Sequence, residues 1–290
     1  MVRALRLCLA GALAVWACGQ DSPASSILIV GKGFTFTAGA AWSKDGYLIF
    51  SDTPADKLYK FKPGGEMEIF RDQANGPSGN AFDSQGRLYT CETHSRRVTR
   101  TDKTGHVDVV AERFQGKRLN APIDLVIGKS DHIYFTDPAF GEQSDHRELD
   151  FYGVYHVAPK GEIRLVAKPA GRPNGIALSP NGRTLYVANT DDRNVRAYDV
   201  AGSGDTSNER VLIPRLDGVP YGIRVNEKGD LYVAISKGIA IFGADGRPIH
   251  TIPLFERPSS LAFGEADGKS LYVTARAQLF RIRLEPKGEN

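Results

Sequence analysis

The sequence predicts an all-β chain folded as a six-bladed β-propeller, and three observations point to it. One unit recurs six times along the 290 residues: a short apolar strand, a turn rich in Gly or Asp, and a second apolar strand. The second strands begin at Leu48, Leu88, Ile133, Leu185, Leu231 and Leu271, spaced 40, 45, 52, 46 and 40 residues apart. That period is the length of a propeller blade. Helical repeats of similar period need amphipathic stretches with a 3.6-residue pattern, and none of useful length occurs. Six copies in one chain describe a single closed ring rather than several domains.

Arg172 to Thr190, RPNGIALSPNGRTLYVANT, is the clearest copy. Ile176-Ala177-Leu178 and Leu185-Tyr186-Val187-Ala188 are short apolar runs suited to buried strands. Ser179-Pro180-Asn181-Gly182 between them is turn chemistry, with Pro presetting φ and Gly tolerating its positive range.

Ahead of the repeats, Arg3 and Arg6 precede an apolar run, Leu7–Ala17, too short to span a bilayer. Residues 1–17 therefore read as a secretory signal peptide. Val15-Trp16-Ala17-Cys18 resembles a lipobox, so Cys18 either carries a lipid anchor or is incidental to plain cleavage. Residues 18–26 read as a tether and 27–285 as the propeller. The expected location is outside the cytoplasm: periplasmic or membrane-anchored in a bacterium, or secreted.

Blade one runs through Ala41-Trp42, Tyr47–Phe50, Lys57–Phe61 and Met67–Phe70. Blade two repeats it through Ala81-Phe82, Leu88–Cys91, Arg97–Arg100 and Val107–Ala111. Blade three carries a charged, loop-like insertion, Phe140–Leu149, and a Gly/Ser/Asp/Asn-rich loop, Ala201–Glu209, joins blades four and five. Blade six ends at Leu279–Arg283, and Ile27–Val30 is the candidate strand that completes it and removes an exposed edge.

Composition excludes some functions. The net charge is +3 and no basic run interleaved with aromatics suggests nucleic acid. Cys91 is the lone cysteine of the expected domain, so no disulfide forms within it, and its strand position suits a buried inert thiol. There is no phosphate loop, zinc spacing or nucleophile elbow.

Aligning the six innermost strands on their last large apolar residue places Ala38, Ser78, Ile123, Asn174, Tyr221 and Ser259 around the channel mouth. The second strands return to the same face and end at Asp52, Glu92, Asp137 and Asn189, with His94 two residues past Glu92. Glu92, His94 and Asp137 are the candidate catalytic groups, Glu92 and His94 as an orienter and general base. The acids also suit a role as hydrogen-bond partners of turn backbones, and His94 a place on the rim. The first ring offers one amide and two aliphatic hydroxyls, with no anionic side chain. Calcium takes six to eight oxygen ligands, usually including carboxylates. The expectation is therefore no metal and a small polar ligand, bound by a monomer.

The chain resembles the senescence marker protein/gluconolactonase/luciferin-regenerating enzyme-like family over its whole mature length, with bacterial gluconolactonases as the nearest subgroup. The resemblance is carried by Arg96–Arg100, Lys117–Asn120, Tyr134–Pro138, Asp150–Tyr155, Arg172–Gly175 and Thr274–Arg276. It implies a propeller that hydrolyses sugar lactones with one divalent metal, typically calcium, held by a Glu in EGP, an Asn in ND, an Asn in PNG and an Asp in DG. Here those positions read Ala38-Gly39-Ala40, Ile123-Asp124, Asn174-Gly175 and Tyr221-Gly222. Only Asn174 remains of the ligand set. The leading expectation is a ligand-binding or metal-independent variant. The alternatives are a lactone hydrolase with a relocated metal site and a structural or protein-binding propeller.

Overall fold

A computed structural model describes residues 24–284. Residues 1–23, with the expected signal peptide and Cys18, lie outside the described residues. Six four-stranded antiparallel sheets form the blades, and a small hairpin, Arg113–Phe114 with Lys117–Arg118, is the remaining sheet. The innermost strands are Thr37–Ser43, Pro77–Phe82, Asp124–Ile127, Pro173–Leu178, Pro220–Val225 and Pro258–Gly264. Each touches the innermost strands of its two neighbours, and the first touches the last, so the sheets close into a ring.

The second strands explain the repeat. Side chains alternate between the two faces of a strand, and both faces of a blade are covered by neighbours. The sequence there is accordingly continuously apolar rather than alternating. Leu48 and Phe50 pack toward blade six, with Tyr272 and Leu279, whereas Ile49 between them packs toward blade two, with Leu88. The same division separates Tyr186 from Leu185 and Val187, and Tyr232 from Leu231 and Val233. Each of the six buried clusters among the described residues sits at a different blade interface, so the core is distributed around the ring.

The ring closes through the N-terminal strand. Ala24–Lys32 pairs antiparallel with Gln278–Leu284, Ile27 opposite Ile282 and Ile29 opposite Phe280. This strand begins at Ala24, so residues 24–26 belong to the blade rather than to a tether. Cys91 is fully buried and free, and burial holds its thiol well above the usual range. The insertion in blade three is more ordered than a loop reading suggests: Gly141–His146 winds into a 3-10 turn, while Asp145 and His146 stay exposed.

The inner strands approach each other closely enough to exclude side chains at one level. A Cβ built on Gly39 would lie 1.7 Å from the Ser78 carbonyl oxygen, and one on Gly175 would lie 2.3 Å from the Tyr221 oxygen. Gly39 also holds φ at +56°, which disfavours any other residue. Gly39→Ala is expected to destabilise the fold by about 2–4 kcal/mol. Gly46→Ala, at φ +83° in open space, is expected to cost only about 1 kcal/mol. Urea midpoints of the two variants check this, and equal losses would show that the close approach is not constraining.

Candidate functional site

The channel opens on one face into a cavity of about 350 Å³. All six ring residues line it: Ala38, Ser78, Ile123, Asn174, Tyr221 and Ser259. In five blades a register shift begins at or spans that residue, between Ala38 and Ala41, Pro77 and Asn80, Pro173 and Ile176, Pro220 and Ile223, and Pro258 and Ser260. Such bulges re-aim a side chain out of the pleat, and here they turn the ring residue toward the mouth. In blade three the ladder starts only at Asp124.

One level deeper, four blades carry Gly39, Gly79, Gly175 and Gly222, whereas blades three and six carry Asp124 and Ser260. Among the described residues Asp124 is the only carboxylate on the cavity wall, and it is engaged. Arg224 donates from Nη1 to its Oδ2 at 3.0 Å and from Nη2 to its Oδ1 at 3.2 Å. The Ile176 amide of blade four also donates to Oδ2, at 3.2 Å. The side chains are 7 % and 17 % exposed, so the pair is largely shielded from water. A bidentate guanidinium–carboxylate pair is the strong geometry for such burial.

The ends of the second strands do different work. Asp52 accepts from the Thr35 and Phe36 amides at 2.8 and 2.9 Å. Asn189 Oδ1 accepts from the Asp191 and Asp192 amides. Asp137 accepts from the Asn120 and Ala121 amides, both at 2.8 Å, and burial pushes its carboxyl up to about 7 against the pull of those donors. Glu92 is fully buried between Arg71, Arg97 and the Thr99 hydroxyl, at 2.9, 2.7 and 2.9 Å. None of these four lines the cavity. Asp52 and Asn189 thus brace turns instead of facing a ligand at the mouth, and Glu92 neither orients His94 nor reaches the channel. His94 does reach the cavity, from an exposed position on the rim, with its ring against Gly76. Tyr221 lies under the Arg257 guanidinium, 5.1 Å from centroid to carbon. Asn174 Nδ2 donates to Thr190 Oγ1 at 3.1 Å.

Sequence reasoning missed Arg224, Ser260 and the two cavity residues of the insertion, Phe140 and Gln143. A signal for Arg224 existed. It stands three residues past its ring position, where the other blades carry Ala41, Ala81, Val126, Ala177 and Ala262. A lone cation among small apolar residues on an inner strand needs a buried partner. Phe140 is held by Arg172, 4.7 Å over its ring, which Asp191 anchors in turn at 2.6 Å.

The family's metal does not fit this donor set. Among the described residues no three His, Cys, Asp or Glu side chains come together to hold an ion. At the mouth, Ala38 and Ile123 offer no side-chain oxygen, and the single carboxylate already has a guanidinium as its counter-ion. A dication would have to displace that guanidinium and would still lack charged ligands.

Arg224→Met should leave Asp124 buried without a partner and cost about 3–5 kcal/mol. Asp124→Asn combined with Arg224→Met should recover much of the loss. Urea unfolding at pH 7 measures both, and a single-variant loss below about 1 kcal/mol, as for a surface pair, would contradict the pair's structural role.

Comparison with known proteins places residues 36–277 in the region described as SMP-30/gluconolactonase/LRE-like. A gluconolactonase of Zymomonas mobilis is 30% identical over 297 aligned positions, covering 90% of this chain and 82% of the relative. The solved structure of a gluconolactonase from Xanthomonas campestris superposes with a TM-score of 0.84 at 29% identity, covering 90% of both chains. Regucalcin of Agrobacterium tumefaciens, described as a calcium-binding protein, shares the fold at a TM-score of 0.76 and 18% identity, over 90% of this chain and 96% of that one.

Proposed function

Because the chain belongs to the SMP-30/gluconolactonase/LRE-like family, we propose that it uses the family's lactone-hydrolase scaffold to bind a small lactone-class ring at the channel mouth without a metal ion. The observation that carries this is the Asp124–Arg224 pair. It neutralises the one carboxylate that the described residues place on the cavity wall, and the three positions that would complete a metal site hold Ala38, Ile123 and Tyr221. The cavity keeps the place and the size for a small ring, since ligand sites begin at about 300 Å³.

Catalysis by this cavity rests on few groups. Lactone hydrolysis needs a base to take a proton from water as it attacks the carbonyl carbon, and stabilisation of the oxyanion that forms. His94 is the one imidazole on the wall, and its position on the rim allows it to act on a water above a bound ring. Among the described residues no carboxylate bonds to it, and the nearest in sequence, Glu92, is held by two arginines. The identity of gluconolactonases among the relatives favours retention of some ring-opening activity.

The expected outcome is saturable calorimetric binding of δ-valerolactone, with any ring-opening unchanged by EDTA and reduced at least about tenfold in His94→Ala, as for loss of a general base. Loss of hydrolysis on chelation, restored by calcium, would overturn the metal-independent reading.

A further inference from the structure

The cavity wall differs from what a polyhydroxylated ring requires. Phe36, Pro54, Ile123, Phe140 and Tyr221 are the large apolar and aromatic side chains of that wall. Three of the hydroxyls that share the wall have already committed their protons. Thr53 Oγ1 donates to the Pro77 carbonyl at 2.6 Å, Thr93 Oγ1 to the Gly76 carbonyl at 2.9 Å, and Ser259 Oγ to the Thr37 carbonyl at 2.6 Å. The Asp124 carboxylate is held by Arg224.

The other polar side chains of the wall are Ser78, His94, Gln143, Asn174, Tyr221 and Ser260. Ser260 is 4 % exposed, lines the cavity, and its Oγ has no partner. A buried hydroxyl without a partner is costly, so it marks a place where a ligand acceptor gains affinity. Asn174 turns its Nδ2 to Thr190 and leaves its Oδ1 without a protein donor. A hydroxyl placed against the apolar part of the wall would lose its water without replacement.

We propose that this cavity selects lactones whose ring substituents are hydrocarbon rather than hydroxyl: a short alkyl chain on a five- or six-membered ring. The lactone carbonyl accepts from Ser260 Oγ, and the alkyl chain lies against Phe36, Ile123 and Phe140. This rests on the lactone reading above and narrows it. Each methylene buried against such a wall strengthens binding about fourfold.

Calorimetric titration of the full chain with δ-octanolactone and with δ-gluconolactone tests the preference. The expected result is at least tenfold tighter binding of δ-octanolactone. Ile123→Asn and Phe140→Ser, each checked for an unchanged circular dichroism spectrum, should narrow that ratio at least threefold; both positions are partly exposed on the wall. Equal or tighter binding of δ-gluconolactone would overturn the alkyl preference and leave lactone binding standing. Binding of neither at millimolar concentration would overturn both.

Discussion

Near the centre of the ring, the carboxylate of Asp124 meets the guanidinium of Arg224 through two hydrogen bonds, and the amide of Ile176 completes the group. These three residues come from blades three, five and four, and 100 positions separate the charged partners. Without its partner, neither charge would have an adequate substitute for water at that depth. The pair therefore constrains the inner strands on that side of the ring, and it fixes the electrostatics of everything above it. The proposed binding of an uncharged ring rests on this neutral floor beneath an apolar wall.

The backbone around this pair is arranged to bring it together. Gly39, Gly79, Gly175 and Gly222 let adjacent inner strands approach to distances that a Cβ would block. The bulges directly above them tip the ring residues toward the mouth. Side chains one residue apart in sequence thus serve different purposes: Ile123 faces the ligand space, whereas Asp124 serves the scaffold and closes the floor. The same separation holds at Ser259, whose hydroxyl is committed to the Thr37 carbonyl, and Ser260, whose hydroxyl is free.

The blades are legible in the sequence because each second strand is buried on both faces, which forces runs such as Leu48-Ile49-Phe50 and Leu231-Tyr232-Val233. The ring positions are legible for the same reason: once the strands are in register, their ends follow. The partners of buried charges are harder to read. Glu92 and Asp137 share a strand-end position with Asp52, yet Glu92 meets arginines while the other two meet backbone amides. That difference depends on Arg71 from the neighbouring blade, which local sequence does not place. The insertion at Phe140–Leu149 was hidden by its charge, since its cavity-facing residues are the first aromatic and a single glutamine.

The family relation and the chemistry of the mouth therefore point in different directions, and the mouth decides what this chain can hold. The scaffold is that of lactone hydrolases, while the metal-independent reading proposed above rests on Ala38, Ile123 and the Asp124–Arg224 pair, which supply no free carboxylate to a divalent ion. Isothermal titration of the full chain with calcium chloride addresses this most directly. The account predicts no heat of specific binding into the millimolar range. A stoichiometric site of micromolar or tighter affinity would contradict it, because its ligands would have to come from carboxylates that the structure shows engaged with arginines and backbone amides.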